Sequence, residues 1–159
     1  MNQIELDSYD WRLLRALQEN ARLTNVALSE QVSLSPSQCS RRLQRLEQSN
    51  LIEAYFTQLN ANKLGFQVTA FVSITLEKGN KLANEQFKQA IVDMPKVLEC
   101  YEISGDANYW MRVISEDLPS LSIFLNETLT ALECVKDLTS TLVLNRVKNA
   151  PAIPLPNPN

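Results

Sequence analysis

The helix start at Ser35-Pro36 constrains this chain more than any other feature. Ser35 is a good N-cap, Pro36 takes the first helical position where its missing N–H costs nothing, and Gln38 stands where a capping-box partner belongs. The helix is predicted to run through SPSQCSRRLQRLEQSN to about Asn50. Just before it, Thr24 caps a shorter helix ending at Val32, and Ser33 and Leu34 leave room only for a sharp corner. Further upstream, Asp7 caps SYDWRLLRALQEN, with Asp10 in the acid-favouring first turn. Trp11, Leu14 and Leu17, with Leu13 and Ala21 beside them, recur there at helical spacing. Two capped helices about a three-residue turn form a helix-turn-helix, in which the second helix enters the major groove of DNA.

The two faces of that second helix differ sharply. Cys39, Leu43, Leu46 and Asn50 share one side, which makes Cys39 a core residue rather than a reactive thiol. Ser37, Gln38, Arg41, Gln44, Arg45 and Gln48 point broadly the other way. These are hydrogen-bond donors suited to guanine and adenine edges. A solvated surface face has similar composition; the helix-turn-helix context favours DNA. Candidate DNA contacts are therefore Ser35, Ser37, Gln38, Arg41, Arg42 and Arg45. Gln38 and Arg41 are assigned to base edges, Arg42 and Arg45 to phosphates. The chain's formal net charge of −3 argues against this, but its distribution does not: residues 1–60 hold six arginines against seven acids, and three of those arginines fall within residues 41–45. A focused patch can bind phosphate on an acidic chain.

Composition excludes several other chemistries. The chain has no histidine, which removes imidazole catalysis and His metal ligands. Its three cysteines are far apart and form no CxxC pair, so neither a metal site nor a disulfide framework is expected. No catalytic set and no cofactor site stand out. No apolar run approaches the roughly 20 residues of a membrane span, and the N-terminus has no signal-peptide pattern, so a cytoplasmic protein is expected.

Residues 51–59, with β-branched and aromatic side chains, are predicted to form a two-stranded wing, which closes a winged helix-turn-helix over residues 1–59. A linker follows at 60–67. Residues 68–76 then alternate, with Val68, Ala70, Val72, Ile74 and Leu76 on one face, as in a half-buried strand. Residues 80–94 read as a helix with Ala83, Phe87, Ile91 and Met94 buried. Strands follow at 97–104 and 107–115 around the Gly105-Asp106 turn. A second helix, opened by Asp117 or Pro119, carries Leu121, Phe124, Leu125, Leu129 and Leu132, and a last strand covers 138–148. The fold class is thus α+β: a winged helix-turn-helix followed, over 68–150, by a ferredoxin-like βαββαβ domain. Phe71, Tyr101, Ile103, Trp110 and Val143 cannot all turn inward, which implies dimerisation sheet on sheet. The tail, 151–159, has four prolines in nine residues and is expected to be extended or disordered.

The segments LDSYDWRLLRALQENARLT and LSEQVSLSPSQCSRRLQRLEQSNLIEAY, then ISGDANYWMRV and TSTLVLNRVK before a proline-containing tail, resemble the Lrp/AsnC family of feast/famine regulators along essentially the whole chain. The resemblance implies a transcription factor that binds double-stranded DNA, dimerises through its C-terminal sheets, often assembles into octamers and binds an amino acid between dimers. It places the family's glycine-turn motif at Gly105, Asp106, Asn108 and Tyr109, beside the effector pocket. Many members carry aspartate where this chain has Asn108, which cannot pair with an ammonium group as a carboxylate does. Thr139, Ser140 and Thr141 would form a second pocket wall, their hydroxyls suiting a zwitterion; strand propensity alone explains them equally well. Two other functions fit the two-domain shape. One is a nucleoid-organising, DNA-wrapping protein. The other, a sirohaem decarboxylase-like enzyme, would need the histidine that this chain lacks.

Overall fold

The computed structural model describes residues 4–77, 82–150 and 152–156. The chain divides into two compact units, Met1–Gln58 with Lys148–Asn159, and Leu59–Val147.

The first unit contains three helices: α1 (Ser8–Glu19), α2 (Asn25–Val32) and α3 (Pro36–Gln48). Each starts as the side chains dictate. Asp7 accepts from the Tyr9 and Asp10 N–H groups, Thr24 from Ala27 and Ser35 from Gln38, with capping boxes at α1 and α3. The corner between α2 and α3 turns on Ser33, which adopts left-handed φ 58°. Asn50, at φ 56°, ends α3: the N–H of Leu51 reaches Leu46 O (3.1 Å) and the N–H of Asn50 reaches Glu47 O (2.9 Å), a Schellman closure. Leu13, Ala16, Leu28, Val32 and Cys39 form the core, which confirms Cys39 as packing. On α1 the buried stripe is Asp10, Leu13 and Ala16. Trp11 and Leu14, expected to lead it, are half-buried.

Residues 53–60 run without a strand among the described residues, so the wing segment makes no β-ladder within this chain. Leu51, Tyr55, Phe56 and Leu59 are exposed along it. Only an intramolecular ladder could have been read as a hairpin, and residues 51–60 offer no tight turn to close one. Tyr55 does hold the segment to α3, its hydroxyl donating to Glu47 Oε1 at 3.0 Å. Although the ring is half in solvent, partial desolvation of the hydroxyl against α3, reinforced by the Glu47 carboxylate, pushes the Tyr55 pKa up to about 12.

The second unit is a four-stranded antiparallel sheet of order β2-β3-β1-β4, with β1 at Val68–Leu76, β2 at Val97–Glu102, β3 at Tyr109–Ser115 and β4 at Val135–Leu142. Helix α4 (Ala83–Val92) lies between β1 and β2. Helix α5 (Leu118–Ile123), capped by Asp117, continues as a π-helical segment, Phe124–Leu129. The start of the predicted helix at 80 lies outside the described residues. The order is the one expected of the βαββαβ reading. Both helices cover a single face: Ala70, Val72, Ile74, Met111 and Val113 meet Ala83, Phe87, Ile91, Leu121, Phe124, Leu125 and Leu129. The switch to π winding, marked by Thr130 N–H bonding Leu125 O at 3.0 Å, keeps Leu125 and Leu129 both inward. β4 starts three residues earlier than expected and ends at Leu142, because its ladder with β1 runs from Leu76↔Val135 to Ala70↔Leu142.

The opposite sheet face carries Phe71, Tyr101 and Trp110. Phe71 stacks on Trp110 with ring centroids 4.3 Å apart, and Tyr101 tilts against the same ring at 6.4 Å. Arg112 pairs with Glu99 beside them and holds the Glu99 carboxyl below its usual range. The described part of the tail is irregular, as its prolines lead one to expect. Residues 152–156 have no regular structure, yet they belong with the first unit: Arg15 Nη2 donates to Pro156 O at 3.0 Å.

Candidate DNA and effector sites

The α3 helix presents its polar side to solvent. Ser35, Ser37, Gln38, Arg41, Gln44, Arg45 and Gln48 are exposed, while Cys39 and Leu46 are buried. The six candidate DNA residues differ, however, in what they already hold. Ser35 and Gln38 are tied into the N-terminal cap: Gln38 Oε1 accepts from Ser35 N (3.1 Å) and from its hydroxyl (3.0 Å). Ser37 Oγ lies 3.1 Å from Ser35 Oγ. Arg41 is exposed on the outer face.

Arg42 points into the module. Its Nη1 meets Asp7 Oδ2 at 2.7 Å and Asp10 Oδ1 at 2.8 Å, its guanidinium lies 5.5 Å from the centre of the Tyr9 ring, and its Nε is buried without a partner. These carboxylates raise the already high Arg42 pKa. The other oxygen of Asp10 takes Arg45 Nη2. Asp10 itself is wholly enclosed and also accepts the Asp7 N–H at 3.0 Å. Arg42 is thus set apart from Arg41 and Arg45, although the three lie within one turn and a half of helix. Spacing could not separate them, because the acids that capture Arg42 sit some thirty positions upstream, on α1.

In the second unit, a cavity of about 380 Å³ opens at the ends of β1 and β3, lined by Thr75, Leu76, Glu77, Ala83, Asn84 and residues 105–108. Its floor is the turn between β2 and β3. Ile103 N–H donates to Asn108 O (2.9 Å) to close the turn, and Gly105 takes φ 135°, a left-handed value that favours glycine. Among the described residues, apart from its chain neighbours, nothing lies within 4 Å of where a side chain at Gly105 would begin.

Asn108 works as a corner post. Its N–H donates to Ile74 O and its Oδ1 accepts from Leu76 N–H, both at 2.8 Å. That second bond satisfies an amide that the β1–β3 ladder, ending at Ile74↔Tyr109, leaves over. Tyr109 turns the other way. It is buried, packs against Phe87 at 4.6 Å and places its hydroxyl 3.4 Å from Asn84 Oδ1. Gly105, Asp106 and Asn108 therefore share the cavity, with Tyr109 beneath it in the core.

Thr139, Ser140 and Thr141 do not line this cavity. They pair with Ser73, Val72 and Phe71, so Thr139 and Thr141 share the open face with Phe71 while Ser140 lies across from Val72 on the helix side. Sequence reasoning missed Glu77 and Asn84, which reach the cavity from β1 and α4. Their only signal is their place just beyond one element and just inside the next. Among the described residues no cluster could hold a metal ion, and no helix is long and apolar enough to cross a membrane.

Comparison with known proteins gives two family matches, winged helix-turn-helix DNA-binding over residues 6–53 and Lrp/AsnC ligand binding domain over residues 69–153. The chain is 39% identical over 153 residues to the Bkd operon transcriptional regulator of Pseudomonas aeruginosa, covering 95% of this chain and 99% of that one. It is 36% identical over 146 residues to the leucine-responsive regulatory protein of Escherichia coli, covering 92% and 89%. A Neisseria meningitidis transcriptional regulator, crystallised as a complex with L-Met, superimposes with a TM-score of 0.91 at 36% identity, covering 94% of this chain and 97% of that one.

Proposed function

The chain belongs to the Lrp/AsnC family of DNA-binding transcriptional regulators, not enzymes, and from that premise we propose how its own residues read DNA and sense an effector. The observation that carries the reading is the exposed donor face of α3. Arg41 reads a base edge and Arg45 a phosphate, with Ser37 and the exposed N-terminus of the helix against the backbone. Ser35 and Gln38 hold that N-terminus in shape, and any base contact by Gln38 must come from its amide nitrogen.

The effector is an amino acid, as supported by the Neisseria relative's complex with L-Met. The cavity above Gly105 has the size and polarity for one. Glu77 and Asp106 supply carboxylates for the ammonium group, and main-chain amides of the turn face the carboxylate. Asn108 Oδ1 is committed to Leu76, so its amide hydrogens are what it can offer. Thr139 and Thr141 can add to a pocket only across a boundary with another copy. The stacked Phe71–Trp110 face supports a homodimer, which holds two α3 helices on successive turns of DNA and assembles further to an octamer. A DNA-binding regulator with no membrane-spanning helix among its described residues acts in the cytoplasm.

Mapping genome-wide occupancy tests whether this is a local switch. A few strong sites that respond to an amino acid support the reading. Thousands of weak, unresponsive sites would instead make the protein a DNA organiser.

A further inference from the structure

Asp10 is a carboxylate with 0% exposure in the middle of a DNA-binding module, a place where negative charge opposes the ligand. Its three partners explain its burial: the Asp7 N–H, Arg42 and Arg45. Capping α1 would need only the first. Both other partners come from the groove-facing helix, and they are two of its three arginines.

The two arginines are held to different degrees. The Arg42 side chain is 20% exposed, its guanidinium enclosed by Asp7, Asp10 and the Tyr9 ring. Withdrawing it toward a phosphate would strand a buried carboxylate, and its own Nε is already without a partner. The Arg45 side chain is 47% exposed, with one nitrogen on Asp10 and the remainder of the fork outside. Asp10 therefore fixes the direction of Arg45 while leaving it charge to present.

We propose that Asp10 is a specificity-determining residue for DNA recognition: it withholds Arg42 from the phosphates and aims Arg45 at one, keeping sequence-independent affinity low. This rests on the reading that α3 enters the groove. Phosphate contacts contribute to binding on every sequence, whereas base contacts contribute only on the correct one. A helix that used all three arginines on the backbone would bind more tightly everywhere and discriminate less. The acidic partner on α1 thus acts through the arginines, without touching DNA.

The salt dependence of binding counts the phosphates neutralised, with a slope of about −0.9 per contact on B-form DNA. The full-length protein is titrated onto a fluorescently labelled mixed-sequence duplex across a salt series, for the wild type, Arg41→Met, Arg42→Met, Arg45→Met, Asp10→Asn and the double variant Asp10→Asn/Arg42→Met. Arg42→Met should leave the slope unchanged, while Arg45→Met should make it shallower by about 0.9 per DNA-bound module. Asp10→Asn should make it steeper by about the same amount and strengthen binding at low salt, and adding Arg42→Met should cancel that increase. A merely structural Asp10 would weaken binding without steepening the slope, and that result overturns the proposal. So does a slope lost in Arg42→Met, a measurement that still decides the matter if Asp10→Asn does not fold. If Arg41→Met and Arg45→Met both leave the slope and the affinity untouched, α3 does not contact DNA, and the proposal falls with its premise.

Discussion

Replacing Asn108 with alanine tests whether this residue belongs to the fold or to the ligand. Its Oδ1 accepts the N–H of Leu76, a residue only 4% exposed that lies just beyond the end of the β1–β3 ladder, at the register shift between β1 and β4. An unsatisfied buried donor costs about 1–3 kcal/mol. The adjoining cavity lets water reach part of this corner, so the lower half of that range, about 1–2 kcal/mol, is expected. For a unit the size of Leu59–Val147, that corresponds to a fall in Tm of roughly 4–15 °C. Asn108→Asp keeps the acceptor and should stay within about 0.5 kcal/mol of the wild type, losing a little to its neighbours Glu77 and Asp106 at low salt. Scanning calorimetry of the full chain gives both numbers. A melting point for Asn108→Ala within a degree or two of the wild type would mean that the Asn108 side chain does not hold the Leu76 amide in the fold. The carboxamide would then be available to choose the effector, as the sequence alone suggests.

Three further outcomes follow from the same geometry. Arg41→Ala should cost about 1–3 kcal/mol on the preferred site and relax preference at one position per half-site, as read by competition binding; uniform weakening on all sequences would make Arg41 a phosphate contact. Phe71→Glu puts a charge on the stacked aromatic face and should give a monomer in sedimentation, with weak DNA binding; an unchanged assembly would place the interface elsewhere. Arg112 holds the Glu99 carboxyl below its usual 4.5, so the pair stabilises the fold above that pH and is lost as pH falls through the lowered value. Glu99→Gln should accordingly narrow the difference in stability between neutral and acidic solution, and an acid limb identical to the wild type would contradict the pairing.

Local signals were the legible ones. Caps at Asp7, Thr24, Ser35 and Asp117 are read from one side chain and its near neighbours, and all four form. The alternation from Val68 to Leu76 and the stripe Ala83, Phe87, Ile91 also stand, because period and burial coincide there. What was not legible depended on partners distant in sequence. The extent of β4 is set by its register with β1, and Arg42 is captured by acids on α1 some thirty positions away. The aromatic character of residues 51–59 suggested a ladder, but a strand needs a partner, and none is found among the described residues. Within the effector site the turn at Gly105 was legible from its residues, while Glu77 and Asn84 join it only through folding.

Recognition of a particular DNA sequence by the exposed face of α3 is measured by selecting bound duplexes from a random pool with the full-length protein, with and without added amino acids. The expected product is a two-fold symmetric site whose halves lie about one helical turn, roughly 34 Å, apart. Arg41→Ala should blur one base position in each half, and at least one amino acid should change the yield of bound duplex. A pool that emerges with no shared sequence, the same for the wild type and Arg41→Ala, would contradict recognition of a particular sequence by α3.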